Sequence, residues 1–312
     1  MWITTLLFSC VVYAEKFAYP PQKISSKGIT SIKISGVKGR LILKERATKF
    51  YRIKVTHSKD KKFEDWNLSA DRVHGALVLE VFNVSAGKQW EKIVQQDRWP
   101  EFDIELEGPS VPALIGWREG KIEIIGWNKS VELSFLNGSV FTDRTRGPLK
   151  LEAVDAQVKI KNHRGELELR GERGAVEIGR MNGQARIIWI DGTLKAESLK
   201  GEYNMDWQNG KVTIRDLNAR IKGKSTAADW NLKARSSSEI DLRTESGGAQ
   251  LRWMTGGVHY FLSSAPGKVM AKSGCRVAAQ NGFDVCEGRH PGNPMGEVFV
   301  QSKSGTIRWQ NP

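Results

Sequence analysis

From Gly120 onward the chain repeats a single pattern of apolar and polar positions every nine residues. Stepping by nine from position 138 reaches Gly138, Gly147, Ala156, Gly165, Gly174, Gly183, Gly192, Gly201, Gly210, Ala219 and Ala228, so eight of eleven positions are Gly and three are Ala. With Gly at 31 of 312 residues, chance would supply about one. The residue before is often a turn former (Asn137, Asn182, Asp191, Asn209, Asn218), and such Asn-Gly and Asp-Gly pairs supply the positive φ that tight turns need. The second position after each turn is apolar or aromatic in all thirteen units from Ile122 through Tyr203 to Trp230. The fourth is mostly apolar, from Ile124 through Ile187 to Leu232, and the third between them is mostly charged. Alternation of this kind predicts strands with one buried and one wet face.

Two all-β architectures fit such units: an antiparallel meander, or a β-solenoid whose strands stack in parallel. The seventh position is often apolar (Trp127, Leu136, Met181, Ile190, Leu199, Leu217), and the sixth is often polar or small. A continuous strand would keep one parity, so inward second, fourth and seventh positions imply a bend, as at a solenoid corner. Charges rank the windings, because like charges facing each other destabilise a sheet. At a separation of 18, Glu132 meets Lys150, Lys150 meets Glu168, Lys159 meets Glu177 and Glu152 meets Arg170, all of opposite sign. The preferred reading is a solenoid of nine-residue strand-turn units, two units to the coil, for a coil period of 18; a three-unit coil of 27 and a meander also give mostly favourable pairs.

Around this repeat (111–312), residues 23–110 carry longer, more widely spaced alternating strands, expected to form an irregular β region that caps the solenoid. An insert near 274–295 holds Cys275, Cys286, Pro291 and Pro294 and reads as a loop stapled by a Cys275–Cys286 disulfide. Residues 1–14, a short apolar run ending Val12-Tyr13-Ala14, read as a signal peptide, although the basic start is missing. Leu7-Phe8-Ser9-Cys10 loosely resembles a lipoprotein box, but apolar residues continue past Cys10 where a polar tether would follow. No later segment is long and apolar enough to predict a transmembrane helix. The expected location is periplasmic, cell-surface or secreted.

The run Phe102-Asp103-Ile104-Glu105-Leu106-Glu107-Gly108-Pro109, then Val111-Pro112-Ala113-Leu114, Gly120-Lys121-Ile122-Glu123-Ile124 and a closing Ser304-Gly305-Thr306-Ile307-Arg308-Trp309 resembles the bacterial "putative adhesin" β-strand-repeat family. The resemblance spans roughly 25–310 and implies a β-solenoid similar to autotransporter adhesin heads, with no catalytic residues to carry over. The eleven Trp and the Cys275–Cys286 insert depart from the family pattern.

A net charge of +13 suits anionic partners such as an acidic glycan or lipopolysaccharide, yet the basic residues alternate with acids rather than forming blocks, and no nucleic-acid signature is present. No Gly-x-Ser-x-Gly, phosphate-binding loop, calcium-roll repeat or zinc spacing occurs, so no catalytic, cofactor or metal site is predicted. The acids Asp143, Glu152, Glu168, Glu177, Glu197 and Asp206 face basic or neutral neighbours at 18, unlike the clustered carboxylates of a glycan-cleaving β-helix. Trp189 and Trp207, separated by the same 18, are the candidate ligand-stacking pair, with core packing as the alternative. The functional expectation is a non-catalytic adhesin or envelope scaffold binding a glycan, lipopolysaccharide or a cell-surface protein. A carbohydrate-active β-helix enzyme and a periplasmic lipid- or glycan-handling module are the alternatives.

Overall fold

The computed structural model describes residues 16–58, 66–83, 101–235, 237–271, 275, 277–293 and 295–310. The 1–14 segment with Cys10, together with Trp90 and Trp99, lies outside them. Every regular element among the described residues is a strand, and the strands join in one large mixed sheet. No helix there is long and apolar enough to cross a membrane.

The register of the sheet follows the repeat. Ala113–Ile125, Val131–Asp143 and Leu149–Lys161 pair in parallel, and the last continues onto Arg164–Ser225, each offset by two nine-residue units (Ala113↔Val131, Val131↔Leu149, Leu149↔Leu167). This register excludes the antiparallel meander and the three-unit coil across these residues. Arg164–Ser225 is 62 residues of extended backbone. A straight strand of that length would reach roughly 200 Å. Instead the chain returns on itself: Gly183 lies over Gly165 and Gly201 over Gly183. Second-position residues from Ile122 to Trp230 and fourth-position residues from Ile124 to Leu232 are buried, forming one continuous core.

Alternate nine-residue units of the sequence differ in backbone conformation. Arg144, Asn162, Arg180, Ser198 and Asp216 have φ of 51–57° and Gly126 has 72°, all at the sixth position of alternate units. Left-handed backbone there reverses the parity of the strand, so the seventh residues Trp127, Thr145, His163, Met181, Leu199 and Leu217 turn inward and are buried. In the intervening units the strand runs straight on: the sixth residues Trp117, Phe135, Ala153, Trp189 and Trp207 are buried, while Leu136 and Ile190 are exposed. The bend expected in every unit is thus a corner in every second one.

The Gly column is set by close approach between turns. At Gly192 φ is +140°, and an added Cβ would lie 2.0 Å from the carbonyl oxygen of Gly174; Gly210 relates in the same way to Gly192. Only a residue without a Cβ leaves the inter-turn hydrogen bonds their space.

Both ends of the stack depart from this winding. Ser31–Glu45 pairs in parallel with Ala113–Ile125 (Ile32↔Ala113, Lys44↔Ile125), making it the first parallel rung despite lying in the irregular region. On its other edge lie Ala76–Asn83 and Phe102–Gly108, which pair antiparallel with Trp66–Val73 and Phe50–Ser58. At the far end the offset becomes 19 (Arg220↔Glu239, Trp230↔Ala249). Met295–Ser302 then inserts in parallel between Glu239–Thr244 and Gly257–Ser264. Phe283–His290 closes the outer edge by antiparallel pairing with Gly257–Ser264. The Cys275–Cys286 disulfide is present, with Cα atoms 5.8 Å apart, and ties that closing strand to the segment after Val269–Ala271.

Two outcomes follow for stability. Gly192→Ala is expected to lower the unfolding free energy by about 2 kcal/mol or more in urea denaturation, because it adds left-handed strain and a backbone clash. Gly179→Ala, whose Cβ would meet nothing within 4 Å, should stay within about 0.5 kcal/mol of wild type. Cys275→Ser/Cys286→Ser removes an 11-residue closure and should cost up to about 3 kcal/mol. Hydrogen exchange would then show the lost protection concentrated in 257–290.

Candidate functional site

The predicted sugar-stacking pair faces the core. Trp189 and Trp207 are each 0% exposed, and their rings stack on one another with centroids 5.7 Å apart and 8° between planes. Trp189 Nε1 donates to the Asp191 carbonyl at 3.0 Å. The straight-running sixth position that holds both rings gives them inward parity, and no ring face remains for a sugar. Trp117, Trp127, Trp230, Trp253 and Trp309 are buried as well.

Some of the acids on the outer rows bond across the separation of 18 and others do not. Lys150 bonds Glu132 at 2.8 Å, Lys159 bonds Glu177 at 2.6 Å and Arg173 forks onto Asp155 at 2.6 Å, each pair 18 residues apart. Glu152 and Glu168 pair within their own strands, with Lys150 at 3.5 Å and Arg170 at 2.6 Å. Among the described residues no three His, Cys, Asp or Glu converge as metal ligands would.

Outward aromatics appear at a place the nine-residue phase did not reach. Phe261 and Phe299 stand opposite each other on neighbouring parallel strands, half-buried, with ring centroids 5.3 Å apart and 3° between planes. The Arg243 guanidinium lies 5.5 Å from the Phe299 ring centre, a cation–π contact. On one flank Glu297 faces both Glu239 and His259; on the other, Gln301 faces Arg243 and Ser263. Phe261, Phe299, Glu239, His259 and Glu297 line a groove of about 510 Å³ that continues past Lys222, Asp241 and Arg243 into a second of about 460 Å³. Arg220 hydrogen-bonds Glu239 and holds its carboxyl below the usual range, and His259 Nε2 meets Glu287 at 3.2 Å. The arrangement offers an apolar strip walled by fixed donors and acceptors. It suits a ligand whose apolar patch meets the exposed edges of the two rings while its hydroxyls reach the polar groups on either side. The separation of Phe261 from Phe299 is not a multiple of nine, so the repeat gave no reason to pair them. Their outward parity in His259-Tyr260-Phe261-Leu262 and Val298-Phe299-Val300 was the available signal.

Comparison with solved structures returns a "putative cell adhesion protein" from Clostridium sporogenes (13% identity, 96% of this chain and 100% of that one, TM-score 0.22). It also returns a "putative adhesin" from Bacteroides fragilis (11%, 95% and 98%, TM-score 0.37) and a "putative lipid binding protein" from Parabacteroides distasonis (12%, 95% and 97%, TM-score 0.39). No protein-family model matches the chain, and no curated protein does.

Inside the corner column, His163 is fully buried between turns: Nδ1 lies 2.9 Å from Thr145 Oγ1 and Nε2 3.2 Å from the Glu166 carbonyl. A carbonyl only accepts, so Nε2 carries the proton and Nδ1 accepts from the hydroxyl. Burial lowers the His163 pKa below its ordinary 6.5. The unfolded chain therefore binds the proton first, and stability is lost as pH falls below about 6.5. The melting-temperature gap between wild type and His163→Leu is accordingly expected to narrow from pH 7.5 to pH 5; a constant gap would refute a buried neutral imidazole.

Proposed function

We propose that this chain is an exported, non-catalytic β-solenoid, wound as two nine-residue units per coil, that acts as an adhesin or envelope scaffold. In this reading residues 23–110 cap one end and the disulfide-bearing segment the other, so that neither open edge recruits another strand. Binding takes place on the outer strand face, at the groove around Phe261 and Phe299, and the ligand is a glycan. The observation that carries the reading is the stacked, half-exposed Phe261–Phe299 pair on an outer face whose other rows are mainly charged or polar. Half-exposed aromatics are not needed for the core, which is already filled from within, and aromatic patches with polar rims are what recognition surfaces use.

A glycoside-cleaving role finds less support in the same groove. Such enzymes need a carboxyl with a raised pKa as proton donor, whereas Arg220 pushes Glu239 the other way. A glycan array with the full chain should identify bound sugars, with Phe261→Ala/Phe299→Ala weakening binding by about tenfold or more at a nearly unchanged melting temperature. Undiminished binding by that variant, or release of reducing ends from the bound glycan, would overturn the proposal.

A further inference from the structure

The opposite outer face of the coils carries an excess of positive charge confined to its C-terminal half. On the strands running from Thr193 to Gln310, the outward positions hold Lys195, Lys211, Arg215, Lys233, Arg252 and Arg308 against Glu197 and Asp229. Asp229 is already engaged, accepting the Gly248 amide at 2.9 Å. None of the six cations forms an ion pair among the described residues. Lys233 and Arg252 stand directly opposite each other on adjacent strands, with Arg215 on the strand before. The N-terminal half of this face behaves differently: Lys159 bonds Glu177, and Glu123 takes both Arg40 and Lys121. Like charges placed opposite one another destabilise a sheet; where they occur elsewhere, as at Arg40↔Lys121 and Glu239↔Glu297, an ion pair to a third residue relieves them (Arg40 and Lys121 with Glu123, Glu239 with Arg220). A retained cationic ladder is explained by an anion that neutralises it.

Beside the cations runs a neutral row, Thr213↔Asn231↔Gln250, ending at Arg308. Two grooves of about 490 and 380 Å³ lie along it and share Lys211 and Asn231. Rungs of a sheet repeat at about 4.8 Å, close to the advance of one sugar residue along an extended polysaccharide. Hydroxyl-binding amides and carboxylate-binding cations thus recur in step with such a chain. Among the described residues, the row Thr213↔Asn231↔Gln250↔Arg308 carries one exposed large apolar side chain, Met270 opposite Arg308 at its far end; a membrane-docking face would display several.

We propose that this face is a second binding site, distinct from the Phe261–Phe299 groove, for a linear anionic polysaccharide lying across the coils along these grooves, with Lys233 and Arg252 as carboxylate contacts on the row beside them. It deepens the glycan-binding reading and is tested separately from it. Polygalacturonate titrated into the full chain is expected to bind, more weakly at high salt, while neutral dextran does not. Lys233→Gln/Arg252→Gln should lose about tenfold or more in affinity. Because a like-charge pair is removed, that variant should melt at or above wild type. Phe261→Ala/Phe299→Ala should bind polygalacturonate as wild type does, so failure of the aromatic groove and failure of this face give different results. Absence of polygalacturonate binding, unchanged affinity in the Lys233/Arg252 variant, or a lower melting temperature accompanying its lost binding would each overturn the site. Binding of duplex DNA or anionic phospholipid vesicles as tight as that of the polysaccharide would overturn the assignment of the ligand.

Discussion

The structure rests on parallel backbone hydrogen bonding between segments two repeat units apart, continued until each turn of chain serves as the template for the next. This bonding is indifferent to sequence, so what fixes the register is the side chains. Inward pairs such as Val176/Ile178 and Leu194/Ala196 must remain inside, and a slip of one residue would turn every one of them to water. The Gly column sharpens the constraint. A backbone that passes 2.0 Å from where a Cβ would stand tolerates side chains at those points only if it moves away. Where the column switches to Ala156, Ala219 and Ala228, the residue faces inward with the core instead.

Because the interior consumes the apolar side chains of both strands, the outer rows are left to electrostatics, and there the chain shows two regimes. Between residues 120 and 180 most facing charges, Arg146↔Arg164 apart, are opposite in sign, and some close into short pairs such as Lys159 with Glu177 and Arg173 with Asp155. Exposed pairs of this kind add little stability individually. Their alternation acts mainly by excluding like-charge neighbours. Toward the C-terminal end the alternation lapses on one face into cations and on the other into the Phe261–Phe299 strip. Departure from the repeat, rather than the repeat itself, marks where a partner would sit.

Much of the fold was legible because a solenoid-like register writes the same local decision many times over. Thirteen second positions agree, and the charge pairs at 18 correspond to strand neighbours in the structure (Glu132↔Lys150, Glu152↔Arg170). The alternation of parity was not legible, because left-handed backbone falls on Arg144, Asn162, Arg180, Ser198 and Asp216, four different residue types of which only Asn162 and Asp216 favour it intrinsically. The inward side of Trp189 and Trp207 was hidden for the same reason: without knowing which units turn, the sixth position has no assigned side. The aromatic groove was hidden by non-local pairing. Strands well separated in the chain, such as Glu239–Thr244 and Met295–Ser302, become neighbours at the far end, and no fixed period announces them.

The insertion of Met295–Ser302 and Ile307–Gln310 between strands made earlier carries a consequence for how the molecule comes into being. Winding in chain order builds the stack up to Thr244 and Trp253, but Gly257–Ser264 joins it only through Met295–Ser302. Those residues act as a keystone. Until residues 295–310 pair, Glu239–Thr244 and Ala249–Trp253 present an unpaired edge, so closure of this part of the sheet depends on strands made well after its neighbours.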